Sequence, residues 1–323
     1  MDLLTREWDL MELPGGEILT VVGTYRSTRA RGQLTYVPDD DGGLEIFGRR
    51  YRKTSFEIWG EIPYGKQVLA LPGESHYLVR AADIARHYPS VPLEPTRPEL
   101  ADVVAALAAA DVPVAVGGSR ALSASRSESD YDLVIYGKDS IERAAKVITG
   151  LAGYASDVHF GLDFRASEYR HFTRLSAEDV AVLVGDRWRH FRHRGLPMSV
   201  DGADPDRVAD RWASVSVRAE DPGHLRGFVL DGAQCYLSPK IIDVRTETGT
   251  VRVFTWLNLY AGALRTDDEV EVTRARGRGR GRCGGRGRTP PPDGPARKLP
   301  ARCGGPRRDR DSAKSLWSAE FSG

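Results

Sequence analysis

Residues 117–136 read Gly-Gly-Ser-Arg-Ala-Leu-Ser-Ala-Ser-Arg-Ser-Glu-Ser-Asp-Tyr-Asp-Leu-Val-Ile-Tyr, and they decide how the chain is read. The apolar run 112–116 leads into the Gly-Gly-Ser turn, and a second apolar run opens with Asp130 and Asp132. Side chains alternate faces along a strand, so positions 130 and 132 share one face. Two carboxylates on one face, opposite a turn of free backbone N–H groups, can hold divalent cations against a polyphosphate.

The flanks give this stretch a fold. Pro98 suits the first turn of a helix, and Leu100, Val103, Val104 and Leu107 recur at helical spacing, so a helix with a buried stripe runs to Ala110. Asp111 ends it. Residues 112–116 are short and β-branched, hence a strand, and Pro113 sets its start near an edge. Leu133, Val134 and Ile135 are apolar on both faces, as in a central strand. Gly137 breaks that strand, and Ser140 is read as the cap of a helix to about Leu151, with Ile141, Ala144, Ala145 and Ile148 inward. The order helix, strand, turn-helix, strand, helix makes a coherent α/β unit.

This pattern resembles the nucleotidyltransferase superfamily that includes DNA polymerase beta, in its prokaryotic stand-alone form. The family signature is a Gly-Ser or Gly-Gly-Ser turn, a short helix, then Ser-Asp-x-Asp-Leu opening a strand. The matching residues here are Gly117, Gly118 and Ser119, then Ser129, Asp130, Asp132 and Leu133. Ser123 departs from the pattern, standing where many members carry glycine, and so does Tyr131, usually a small aliphatic residue. The resemblance spans residues 96–153, under a fifth of the chain. It implies that Asp130 and Asp132 are catalytic metal ligands and that Gly117, Gly118 and Ser119 bind the nucleotide. The implied cofactor is Mg2+, two ions at most, and the implied substrate a nucleoside triphosphate such as ATP. A third carboxylate is expected on a later strand, with Asp157, Asp163 and Asp201 as open candidates.

The residue types suit such chemistry. Nucleotidyl transfer spreads charge over phosphate oxygens, so the protein mainly positions and neutralises. Magnesium takes oxygen ligands and keeps waters and substrate phosphates in its remaining positions. Glycines let backbone approach the phosphates with no Cβ in the way. Ser119 adds a hydroxyl at a helix N-terminus.

Composition bounds the rest. The 323 residues are enough for two or three domains, and no apolar run is long enough to span a membrane. Cys235, Cys283 and Cys303 lack zinc-type spacing and form no disulfide framework, which fits a reducing cytoplasm, and no secretory signal is visible. Net charge is +1 but uneven: from Arg274 onward 14 Lys and Arg face 4 Asp and Glu, leaving 32 against 41 before it. An acidic body argues against a large nucleic-acid face on it.

The chain therefore reads as α+β in four parts. Residues 1–93 form an N-terminal β-rich module, with strands near 18–25 and 32–38 joined by a basic turn, Arg26 to Arg31, and a short helix from Asp83 to Tyr88. Residues 94–205 hold the nucleotidyltransferase core with a helical extension, Ser176 to Phe191, behind the linker Pro89 to Pro98. That extension ends in a run of bases and aromatics, and its His190 and His193 are spaced as metal ligands often are, with no third ligand evident. Residues 206–273 alternate as a small antiparallel β-barrel would. Residues 274–323 are a disordered Arg/Gly/Pro-rich tail. The tail is either an arm for RNA or DNA backbone or the product of a reading-frame change. The abrupt end of the Glu269 strand pattern favours the second.

The function expected is transfer of a nucleotidyl group to an acceptor that is a nucleic acid, a protein or a small molecule. The rival is a non-catalytic nucleic-acid-binding protein on a vestigial scaffold of the same fold.

Overall fold

Asp111 takes φ +52 and stops the helix Pro98–Ala109, whose Leu100, Val103 and Leu107 are fully buried. The computed structural model describes residues 3–54, 60–71, 74–94, 97–122, 130–156, 188–209, 222–256, 262, 264–275, 314–317 and 320–321. Among them the chain is strand-rich and broadly α+β, with several sheets.

The central sheet has six strands in the order Val91–Pro92, Val114–Val116, Tyr131–Tyr136, Leu196–Ala203, His190–His193 and Tyr154–Ser156. Tyr131–Tyr136 runs antiparallel to Val114–Val116 and parallel to Leu196–Ala203. It is apolar on both faces because both are covered. Tyr131, Leu133 and Ile135 pack with Leu100, Val103 and Leu107 and with Ile141, Ala144 and Ile148 of the helix Lys138–Thr149. Each such large aliphatic chain is worth about 1.5–3 kcal/mol when fully buried. Val134 on the other face packs with Ala115, Ala203 and Trp8, and Trp8 comes from the N-terminal module.

That module is an eight-stranded sheet built around the long strand Arg29–Pro38. It grips the central unit at several points. The Trp8 indole N–H donates to the Gly202 carbonyl at 3.2 Å. Leu122, just past the Gly-Ser turn, is buried with Leu10, Ile18, Tyr36, Ile46 and Tyr51. The face carrying Asp132 and Val134 is therefore the one the N-terminal module covers.

A buried polar cluster joins this module to the C-terminal sheet. Glu7 Oε2 accepts from the Ser238 backbone N–H at 3.1 Å, and Lys240 Nζ donates to Ser238 Oγ at 3.1 Å. Arg31 Nε donates to His76 Nδ1 at 3.0 Å, and its guanidinium lies 4.1 Å from the Trp256 ring centre. Burial, then Arg31 and Lys240, hold the His76 imidazole well below its ordinary pKa. Burial pushes the Glu7 carboxyl up to about 7 against the pull of Lys240 and Arg207.

Several local expectations are corrected. Residues 83–88 are a 3-10 turn, Ala81–Asp83, followed by a strand, Arg86–Tyr88, that pairs with Leu10–Glu12. Arg26 to Arg31 is no simple turn: Arg31 lies inside a strand and is fully buried. The helix after Gly137 starts at Lys138, so Ser140 is buried in its first turn rather than capping it. Gly137, at φ +88, makes the entry, and its N–H donates to the Ala203 carbonyl at 2.8 Å. Most of the proposed helix 176–191 lies outside the described residues, but its end does not: His190–His193 is a strand. Phe191 there is fully buried against Tyr154, with ring centres 5.8 Å apart.

The C-terminal strands Pro222–Val229, Lys240–Thr246 and Gly249–Thr255 are successive antiparallel neighbours, and Glu269–Ala275 returns to lie antiparallel beside Pro222–Val229. Their pairings make an open sheet, not a closed barrel, among the described residues. Its two edges are taken by backbone from the tail read as disordered: Lys314–Trp317 beside Glu269–Ala275, and Glu320–Phe321 beside Gly249–Thr255. Extended backbone pairs through N–H and C=O whatever its side chains, which composition does not report.

Candidate functional site

Gly117 follows the strand Val114–Val116, and its N–H donates to the Asp132 carbonyl at 2.9 Å, which ties the turn to the acidic strand. Gly118 then takes φ +61. An L side chain there costs about 1–2 kcal/mol. Its space is also occupied: a Cβ on Gly118 would collide with Asp132 Oδ2 and stand 3.0 Å from the carboxyl carbon. Glycine is thus needed twice, for the backbone angle and for the close approach of a carboxylate. The short helix Gly118–Ala121 starts here, with Ser119 half-buried in its first turn.

Asp132 is the second residue of the strand Tyr131–Tyr136, and Asp130 stands just before that strand. Both are half-buried. Asp132 Oδ1 accepts a 2.7 Å hydrogen bond from the Ser199 hydroxyl, while Oδ2 lies on the Gly118 side. The carbonyl of Asp130 accepts from Arg120 Nε at 3.0 Å, and the Arg120 guanidinium sits 3.6 Å from the Tyr131 ring centre. Such cation–ring stacking is worth about 0.5–2 kcal/mol.

The two carboxylates act on one neighbourhood. Tyr36, buried on the strand Arg29–Pro38, has its phenol pushed well above the ordinary range, first by burial and then by the charges of Asp132 and Asp130. A hydroxyl from the N-terminal module therefore shares the field of both acids, at the cluster that also holds Leu122.

Of the third-acid candidates, Asp157 and Asp163 lie outside the described residues. Asp201 is on the neighbouring strand and on the Asp132 face, but it pairs in register with Val134 and makes an ion pair with Arg189 Nη2. The residue opposite Asp132 is Ser199, and the register continues across the sheet to His190. His190 and His193 fall on opposite faces of their strand, because an odd spacing there divides them. Among the described residues no three His, Cys, Asp or Glu side chains gather as a metal cluster.

Sequence alone picked out Gly117, Gly118, Ser119, Asp130 and Asp132, and the structure brings the turn and both acids together. It missed Ser199, Arg120 and Tyr36. Arg120 lay within the quoted stretch and could have been flagged as a cation beside a phosphate turn. Ser199 had no signal, because a parallel register between strands over sixty residues apart leaves no local pattern.

The chain matches no known family model, no curated protein and no solved structure. Its chemistry rests on the geometry above. No helix among the described residues is long and apolar enough to cross a membrane.

Proposed function

We propose that the protein is a magnesium-dependent nucleotidyltransferase. It moves a nucleotidyl group from a nucleoside triphosphate, ATP among the candidates, to an acceptor hydroxyl and releases pyrophosphate. The observation that carries this reading is the Asp132 carboxylate seated against Gly118, at a turn position where a left-handed backbone and the nearness of that carboxylate both favour glycine.

The donor set suits magnesium. Asp130 and Asp132 offer hard carboxylate oxygens, which are the ligands magnesium takes. When bound, one or two Mg2+ ions would neutralise charge developing on the transferred phosphoryl group. Asp130 and Asp132 hold the metal. Gly118 and Ser119 cradle the triphosphate with backbone N–H groups and a hydroxyl, on a turn that the Gly117 N–H ties to the Asp132 carbonyl. Arg120 keeps Asp130 in place from the same short helix. In the transfer the acceptor oxygen bonds the α-phosphorus, the bond to the pyrophosphate oxygen breaks, and the acceptor proton passes to water. The N-terminal module packs over this face. The acceptor classes are a nucleic-acid 3′ end, a protein side chain and a small hydroxylated molecule.

The test is incubation of the full chain with each α-labelled triphosphate, Mg2+ and representatives of the three acceptor classes. Label on an acceptor with stoichiometric pyrophosphate supports the reading, and neither product with any pair counts against it.

One observation favours a second reading, a non-catalytic binding protein on the same scaffold. The position facing Asp132 on the next strand holds serine, not a carboxylate. On that reading triphosphate binding or RNA binding persists and no label moves.

A further inference from the structure

Asp132 and Ser199 are paired in register on parallel strands, and the Ser199 hydroxyl donates to Asp132 Oδ1 at 2.7 Å. The other oxygen, Oδ2, lies against Gly118, where no side chain stands. The hydrogen bond is thus spent on the oxygen away from the phosphate turn. It also selects one rotamer of an acid that sits near the start of its strand. Ser199 is itself buried, at 6% exposure, so water competes little for its hydroxyl. A carboxylate whose free rotation is removed in this way meets a cation with less ordering left to do.

We propose that Ser199 is a positioning residue for the metal and nucleotide site: its hydroxyl holds the Asp132 carboxylate in the rotamer seated against the turn, from which Asp132 serves the divalent cation. It touches neither substrate nor metal; it acts through Asp132. This rests on the reading of Asp132 as a metal ligand. Partners of this kind usually contribute about ten- to a hundredfold in metal affinity.

The test uses the full chain, Mn2+ as a paramagnetic probe and a non-hydrolysable triphosphate analogue, with affinity read from water-proton relaxation. Ser199→Ala should weaken Mn2+ binding about tenfold or more, and Ser199→Thr, which keeps the hydroxyl, should restore most of it. Against a background of Asp132→Asn, Ser199→Ala should add nothing, because the residue acts only through that acid. A general structural role would cost the same in both backgrounds. Circular dichroism and urea unfolding of each variant separate loss of the site from loss of the fold.

Wild-type binding with Ser199→Ala unchanged overturns the inference and leaves the metal site standing. Equal losses in the two backgrounds overturn it as well. If wild type binds no Mn2+ with the analogue present, the metal reading of Asp132 falls first and this inference falls with it.

Discussion

Replacing Gly118 with alanine tests the packing of the acid against the turn. Two penalties are expected. A left-handed backbone at φ +61 costs about 1–2 kcal/mol for an L residue. The new Cβ would also collide with Asp132 Oδ2, so the carboxylate must move and give up its bond from Ser199. A hydrogen bond to a charged group is worth about 1.5–3 kcal/mol net. The sum is about 2.5–5 kcal/mol, above backbone strain alone. The built-in control is Gly195, at φ +87 with nothing within 4 Å of its missing Cβ. Gly195→Ala should cost only the strain, about 1–2 kcal/mol. Urea unfolding followed by hydrogen exchange of the central sheet would measure both. In a background of Asp132→Ala the obstruction is gone, so Gly118→Ala should cost no more than Gly195→Ala. If Gly118→Ala costs the same as Gly195→Ala in the wild-type background, the carboxylate is not where this account needs it.

Other outcomes follow from the same geometry. Arg120→Ala removes both the bond to the Asp130 carbonyl and the stack on Tyr131, and should weaken binding of a fluorescent triphosphate about tenfold. Arg120→Lys should recover little of it, because lysine lacks the planar, stacking guanidinium. Leu122→Ala should cost about 2–4 kcal/mol and speed hydrogen exchange in the N-terminal sheet, since Leu122 is buried in that module's cluster. Glu7 makes stability depend on pH. Its folded pKa is lifted from 4.5 to about 7, so the folded chain keeps a proton that the unfolded chain releases. Its contribution to stability is complete below the unfolded value, falls as pH rises from about 4.5 to about 7, and is level above that. Glu7→Gln should flatten that slope in urea unfolding at a series of pH values, and an unchanged slope would place the titration elsewhere.

The parts that could be read from sequence were those written in local pattern. The stripe Leu100, Val103 and Leu107 fixed a helix, and the β-branched runs at 114–116 and 131–136 fixed two neighbouring strands. The Gly-Gly-Ser turn and the two acids came with them, because their spacing is short. Long-range pairing was not legible. That Ser199 faces Asp132 depends on a parallel register whose connection includes residues 157–187, and that Tyr36 shares the field of the acids depends on how one module covers another. Backbone geometry misled in places. Gly137 at φ +88 admits the helix earlier than a search for a serine cap suggests. His190–His193 alternates as a strand, though its aromatics and bases also fit one helix face. The tail shows the limit of composition: residues 314–317 pair along a sheet edge.

Equilibrium dialysis of labelled nucleoside triphosphate against wild type and the double variant Asp130→Asn, Asp132→Asn, with and without Mg2+, tests the central claim most directly. Tighter binding with Mg2+ is expected for wild type, with loss of that increment in the folded double variant and a residual metal-independent part held by the turn. An equal Mg2+ increment in both proteins, or none in wild type, would contradict it.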